Sequence, residues 1–289
     1  MYLYIGMAYG RNFYPDQRVF IGEAGVSTEE LHGVQTFDGS WEVPYESLDV
    51  MGHGFVGNTL NGFLVGSVAV SRSIVNSSDP ITGLLDTSLS GYLVYGPHQS
   101  NGEFFNFKSA YVDSYECSCA IGDVVSNDIT MTAYGEIGKT NSETPSSSSI
   151  TATPAIASNI SLTTPFGSTN CIQSYSLNIN LPRVAYEHVG EYYSTEFLTE
   201  VPIVVSLDFD MVVKDYEVKN LYDFICERST SELRIDLETC DGSGIRSFYI
   251  ESGELMRSAV SADIGDNMTV SVNYEAFYNS VSGVQQIFS

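Results

Sequence analysis

Basic residues are scarce in this chain of 289 residues: 12 Lys and Arg stand against 36 Asp and Glu, for a net charge of −24. A protein that grips nucleic acid through its phosphates needs clustered cations, so that class is excluded. The four histidines, His32, His53, His98 and His188, show no H-x-x-x-H or H-E-x-x-H spacing, and neither a Gly-x-Ser-x-Gly nor a phosphate-binding loop occurs. Nucleophilic and metal catalysis therefore lack a signature. The five cysteines, Cys117, Cys119, Cys171, Cys226 and Cys240, form no C-x-x-C pair and no even framework, which suits free thiols made in a reducing cytoplasm. Nowhere do 18 apolar residues run together, so no membrane-spanning helix is expected. The opening MYLYIGMAYGRN has no basic region ahead of an apolar core, so no signal peptide is expected either.

What the chain has in quantity is strand-forming residues. It is 43% hydrophobic and 12% aromatic, with many Tyr, Val, Thr and Ser and few of the Ala, Leu, Lys and Glu runs of long helices. This composition predicts a mainly β protein. The chain also repeats itself. Val34 to Gly52 (VQTFDGSWEVPYESLDVMG) recurs without a gap as Ile172 to Gly190 (IQSYSLNINLPRVAYEHVG), with Gln35/Gln173, Pro44/Pro182 and Gly52/Gly190 identical. Phe104 to Asp123 lies over Ser247 to Asp266 in the same way, aligning Phe105/Phe248, Ser109/Ser252, Ser118/Ser261 and the two Ile-Gly-Asp triplets. Residues 1–138 hold 16 acids and 4 bases, residues 139–289 hold 20 and 8, so each half carries −12. Acidity belongs to the repeated unit.

These repeats predict two tandem domains: 1–138 with an arm over 1–33, a Ser/Thr-rich linker and lead-in strand over 139–171, and 172–289. In both copies apolar and polar residues alternate. Phe37, Trp41 and Val43 oppose Asp38, Ser40 and Glu42, and Tyr175, Leu177, Ile179 and Leu181 oppose Ser174, Ser176, Asn178 and Asn180. The apolar side places Trp41 in the core. Pro44 and Pro182, each followed eight residues later by Gly, predict a short helix after each strand. Long loops should follow. GSVAVSRSIV (66–75) matches VSLDFDMVV (205–213) after a one-residue slip and predicts the next strands, and residues 83–86 and 220–223 predict a second short helix in each half. Asp208 and Asp210 share one face of a strand, a spacing that suits solvent exposure better than a calcium loop.

The order QSYSLNINLPR, a bend to Gly190, VPIVVSLDFD, and FYIESGELMRSAVSADIGDNMTVSVNYEAF resembles the tail tube proteins of bacteriophages. That resemblance implies two tail-tube-like β-sandwich or flattened-barrel domains, each with one or two short helices. It implies a structural virion protein that catalyses nothing and binds neither cofactor nor metal. Such chains pair strand edges into rings, and doubled domains make three chains a pseudo-sixfold ring. Stacked rings form the conduit for DNA. Expected partners are further copies of the chain, the tape measure, terminator and sheath proteins of a tail, and passing DNA, in a virion assembled in a bacterial cytoplasm.

A lumen lined with carboxylates repels duplex DNA without trapping it, because the field decays over about 8–10 Å in physiological salt. Candidate lumen acids are Asp208, Asp210 and Asp236, and candidate contacts between rings are His53, Asn58, Glu191, Tyr193 and Glu196. The alternatives are a tail terminator, a capsid decoration protein, or a carbohydrate-binding adhesin module with an exposed aromatic groove.

Overall fold

The computed structural model describes residues 18–23, 28–60, 62–75, 80–81, 91–96, 104–140, 153–156, 159–164, 167–169, 172–194, 196–212, 233–239, 242–261 and 268–288. The expected helices over 83–86 and 220–223, and most of the Ser-rich stretch after Thr140, lie outside these residues.

The chain is mainly β. Its first half supplies β1 (Phe20–Glu23), β2 (Glu29–Glu30), β3 (Val34–Glu42), β4 (Tyr45–Val50), β5 (Gly54–Leu60), β6 (Val65–Ser73), β7 (Tyr92–Tyr95), β8 (Phe104–Ala120), β9 (Ser126–Ala133) and β10 (Ile137–Thr140). The second supplies β11 (Ile160–Thr164), β12 (Gly167–Thr169), β13 (Ile172–Asn180), β14 (Arg183–Tyr186), β15 (Glu196–Thr199), β16 (Ile203–Val212), β17 (Leu233–Glu238), β18 (Gly244–Ile250), β19 (Glu254–Ser261), β20 (Thr269–Tyr278) and the short helix α1 (Val281–Gln285). α1 is capped by Ser280, whose hydroxyl accepts the Gly283 N–H at 3.2 Å.

The sequence repeat is a repeat of strand pairing. β3 pairs with β6, β6 with β9, and β9 with the second part of β8; β13 pairs with β16, β16 with β20, and β20 with β19. The registers coincide. Phe37 faces Val70 as Tyr175 faces Phe209, and a bulge interrupts each pair at the same place, between Val34 and Thr36 and between Ile172 and Ser174. A second bulge falls between Val112 and Ser114 in β8 and between Leu255 and Arg257 in β19. Such bulges bend the strand and raise its twist. β7 and β1 stack beside the first part of β8 as β17 and β11 stack beside β18, so the long β8 corresponds to β18 and β19 together.

The two copies join through one further pairing. β8 lies against β13, with Ala120 facing Ser174 and Ser114 facing Asn180. The result is a single antiparallel run in the order β3-β6-β9-β8-β13-β16-β20-β19. Alternation then sorts the side chains. Val68, Val70, Tyr115, Cys117, Ile129, Met131, Leu177, Ile179, Leu207 and Tyr274 enter one core that runs through both halves. Full burial of one such aliphatic side chain stabilises the fold by about 1.5–3 kcal/mol.

Two expectations are corrected. Pro44 and Pro182 open β-hairpins, β4–β5 and β14–β15, where short helices and long loops are expected. Pro fits the lead into an exposed strand as well as a helix start, and Gly52 (φ 86) and Gly190 (φ 98) serve hairpin turns, not helix caps. Trp41 is not in the core: it is 54% exposed, stacked on Phe105 with ring centroids 4.8 Å apart. It sits on the apolar side of β3, whose outer edge no described strand covers. Within 139–171, expected to hold a linker and a lead-in strand, β11 and β12 are paired strands, and β11 hydrogen-bonds to β17.

Candidate assembly and channel surface

The eight-strand run has one apolar side and one polar side. From the polar side project Asp38, Glu42, Glu116, Asp128, Asp208, Asp210 and Glu275, and the one cation that the described strands of the run add there is Arg257. The remaining positions are mostly Ser and Thr. These hydroxyls, with the amide of Asn273, hold the carboxylates. Ser174 Oγ donates to Asp210 at 2.7 Å, Ser271 Oγ also donates to Asp210, Asn273 Nδ2 donates to Asp208 at 2.8 Å, and Ser176 Oγ reaches Glu116 across the β8–β13 seam at 3.1 Å. Neutral donors fix the carboxylates without cancelling their charge. Where Asp208 and Asp210 meet Arg257, Ser176 and Ser271, the surface forms a shallow open depression.

The third sequence candidate is elsewhere. Asp236 lies on β17 in the four-stranded sheet β12-β11-β17-β18, paired with Arg234 Nε at 2.8 Å and accepting from Ser247 Oγ. Asp208 and Asp210 are thus brought together, and Asp236 is separate from them.

The five candidates for contacts between rings fall on the two hairpin arms. His53 occupies the β4–β5 turn and Asn58 the strand β5, both exposed. Glu191 and Tyr193 lie between β14 and β15, and Glu196 opens β15 with its carboxylate 3.7 Å from His188 Nε2. The arms carry more apolar surface than sequence reading finds: Tyr45, Leu48, Met51 and Phe55 on one, Val184, Tyr186, Val189 and Leu198 on the other, all exposed. Contiguous exposed apolar residues mark interaction sites. The second arm is already docked. Phe197 packs on Tyr111 at 4.5 Å and Tyr134 at 4.8 Å, both from the first half, and the Arg183 guanidinium lies 5.0 Å from the Tyr111 ring centroid. Burial lowers the Arg183 pKa and raises that of Asp113 nearby, which accepts from Thr132.

Sequence reading missed the two open edges. β3 and β19 end the run, and among the described residues nothing pairs with their outer sides. Trp41 and Val43 are 54% and 36% exposed, while their counterparts Ile179 and Leu181 are 1% and 0% exposed because β8 covers them. Val260 on β19 is 57% exposed, against 0% for its counterpart Cys117. Each edge shows what the internal seam hides. The sequence signal was present in the repeat, where Gly39 stands for Leu177 and Trp41 for Ile179.

Burial pushes the Cys117 thiol up to about 12 and Cys119 up to about 11, so neither is a nucleophile at neutral pH. No His/Cys/Asp/Glu cluster suited to a metal occurs among the described residues, and none of their helices is long and apolar enough to cross a membrane. No protein-family model and no curated protein matches this chain.

Proposed function

We propose that this chain is a structural subunit of a phage tail tube, polymerising edge to edge into rings that stack into an acidic conduit for DNA. The observation that carries the reading is the pair of edges, β3 and β19, that no described strand covers, and whose apolar residues are exposed where their counterparts at the β8–β13 seam are buried. A sheet with two complementary ends adds copy to copy, and the repeat is a ring when the rotation between copies closes.

Size supports three chains to a ring. Each contributes eight strands, and at about 4.8 Å per strand three copies give a backbone circumference of roughly 115 Å and a diameter near 37 Å, before tilt widens it. Two copies would give only the strand number of a porin, which encloses a channel for small solutes. Facing inward, the acidic side repels phosphate while its screened field leaves no binding site, so DNA slides. The exposed hairpin arms, carrying His53, Asn58, Glu191, Tyr193 and Glu196, are the contacts between rings.

Negative-stain electron microscopy of the purified protein tests the reading. Long hollow tubes support it. Isolated rings that never elongate favour a tail terminator or decoration protein, and a monomer with saturable sugar binding favours an adhesin.

A further inference from the structure

The duplication supplies a template for a contact that the single chain does not contain. In the internal seam β8 covers β13, and their counterparts are β19 and β3, the two open edges. We infer that β19 of one copy pairs antiparallel with β3 of a second copy in the register of that seam, which sets Arg257 opposite Glu42, Ser258 opposite Trp41, Ala259 opposite Ser40, Val260 opposite Gly39 and Ser261 opposite Asp38. This deepens the proposed function and rests on its self-assembly element, not on the tube or on DNA.

Three observations converge on the register. Strand and bulge positions coincide in both copies, so substituting counterparts leaves no freedom of alignment. Side-chain sizes compensate pair by pair on the apolar side. The internal seam sets Ile179 against Tyr115 and Leu177 against Cys117; the inferred one sets Trp41 against Ser258 and Gly39 against Val260, so each bulky residue of the inferred seam meets a small one. A slip of two residues one way would put Trp41 against Val260 and crowd that site, and a slip of two the other way would set Gly39 against Ser258 and leave that site underfilled. Charge supplies the third. Among the described residues, Arg257 is the one cation that the eight strands themselves carry on their acidic side, and in this register it meets Glu42, where the internal seam has the neutral pair Asn180 and Ser114. An opposite-charge pair across strands favours its own register, and a charge facing a neutral partner does not. The two seams are thereby distinguished: β19 is matched to β3 rather than to β13.

Cysteine cross-linking tests the register. In the internal seam Leu181 N–H donates to Asp113 at 2.8 Å and Ile121 N–H donates to Gln173 at 2.9 Å. Asn178 and Glu116, which face each other between them, are therefore a non-hydrogen-bonded pair, with Cα atoms near 4.5 Å. Their counterparts are Ser40 and Ala259, a spacing that a disulfide accepts. In the full chain, Ser40→Cys with Ala259→Cys is expected to give dimers and trimers on non-reducing gels after mild oxidation. Each single variant, and the displaced pair Asp38→Cys with Ala259→Cys, should give at least tenfold less. Glu42→Arg alone and Arg257→Glu alone are expected to block assembly at low salt, and the two together to restore it, with unchanged β circular dichroism throughout. Linkage in the displaced pair, or none in the matched pair of a protein that still assembles, would overturn the register and leave self-assembly standing. A chain that stays monomeric at every concentration overturns both.

Discussion

Ser109 and Ser252 occupy the same left-handed backbone conformation, φ 51 and φ 64, in the two halves of the chain. Both stand at the corner where a strand leaves the outer layer for the acidic sheet, within β8 in the first half and between β18 and β19 in the second. A non-glycine residue there is unusual, and Gly91 packs against the Ser109 corner so closely that a Cβ on it would lie 2.8 Å from Ser109 Cα.

The corner predicts asymmetric mutational effects. Ser109→Gly and Ser252→Gly should leave unfolding free energy within about 1 kcal/mol of the parent, since relief of strain offsets the entropy of glycine. Ser109→Val or Ser252→Val should cost about 1–2 kcal/mol, read by denaturant unfolding.

Trp41 and Ile179 hold equivalent positions with opposite exposure, so truncating each should produce a different phenotype. Ile179→Ala creates a core cavity and should cost about 2–5 kcal/mol in unfolding free energy. Trp41→Ala should change monomer stability by less than about 1 kcal/mol while sharply weakening assembly, as read by sedimentation across a concentration series.

The buried thiols predict a pH dependence. Cys117 and Cys119, raised to about 12 and about 11, remain protonated in the folded protein at pH 8. Site-resolved iodoacetamide labelling should be roughly 100-fold or more slower than for the unfolded chain, from the loss of thiolate alone. The stability sign follows: the native state holds these protons more tightly, so their contribution is intact below about pH 9 and declines as pH rises toward 11–12.

Much of this fold is legible in the sequence because a strand writes itself as alternation. Tyr175, Leu177 and Ile179 are buried and Ser174, Ser176 and Asn178 face away, as their spacing predicts, and the one-residue slip between 66–75 and 205–213 reappears in the strand pairing. The hairpins were not legible, since Pro and Gly at that spacing punctuate a helix and a hairpin alike. Trp41 misleads for another reason: periodicity reports which side of a strand a residue occupies, and burial also requires a neighbour on that side. Asp236 could not be separated from Asp208 and Asp210, because layer membership is set by tertiary pairing.

The separation of those acids predicts a charge effect confined to one layer. Asp208→Lys with Asp210→Lys should slow DNA delivery from assembled tubes through phosphate attraction, most strongly at low salt. Asp236→Lys, on the other sheet, should deliver as the parent does. Ejection kinetics at two ionic strengths distinguish them, and normal delivery from a doubly substituted tube would place these residues away from the DNA.

The most direct test of the account is the mass of one ring under conditions that disfavour stacking, measured by native mass spectrometry. Three chains of 31.6 kDa give about 95 kDa, the mass expected when each chain supplies two ring-forming units. A six-chain ring, or a monomer that persists as concentration rises, would contradict it.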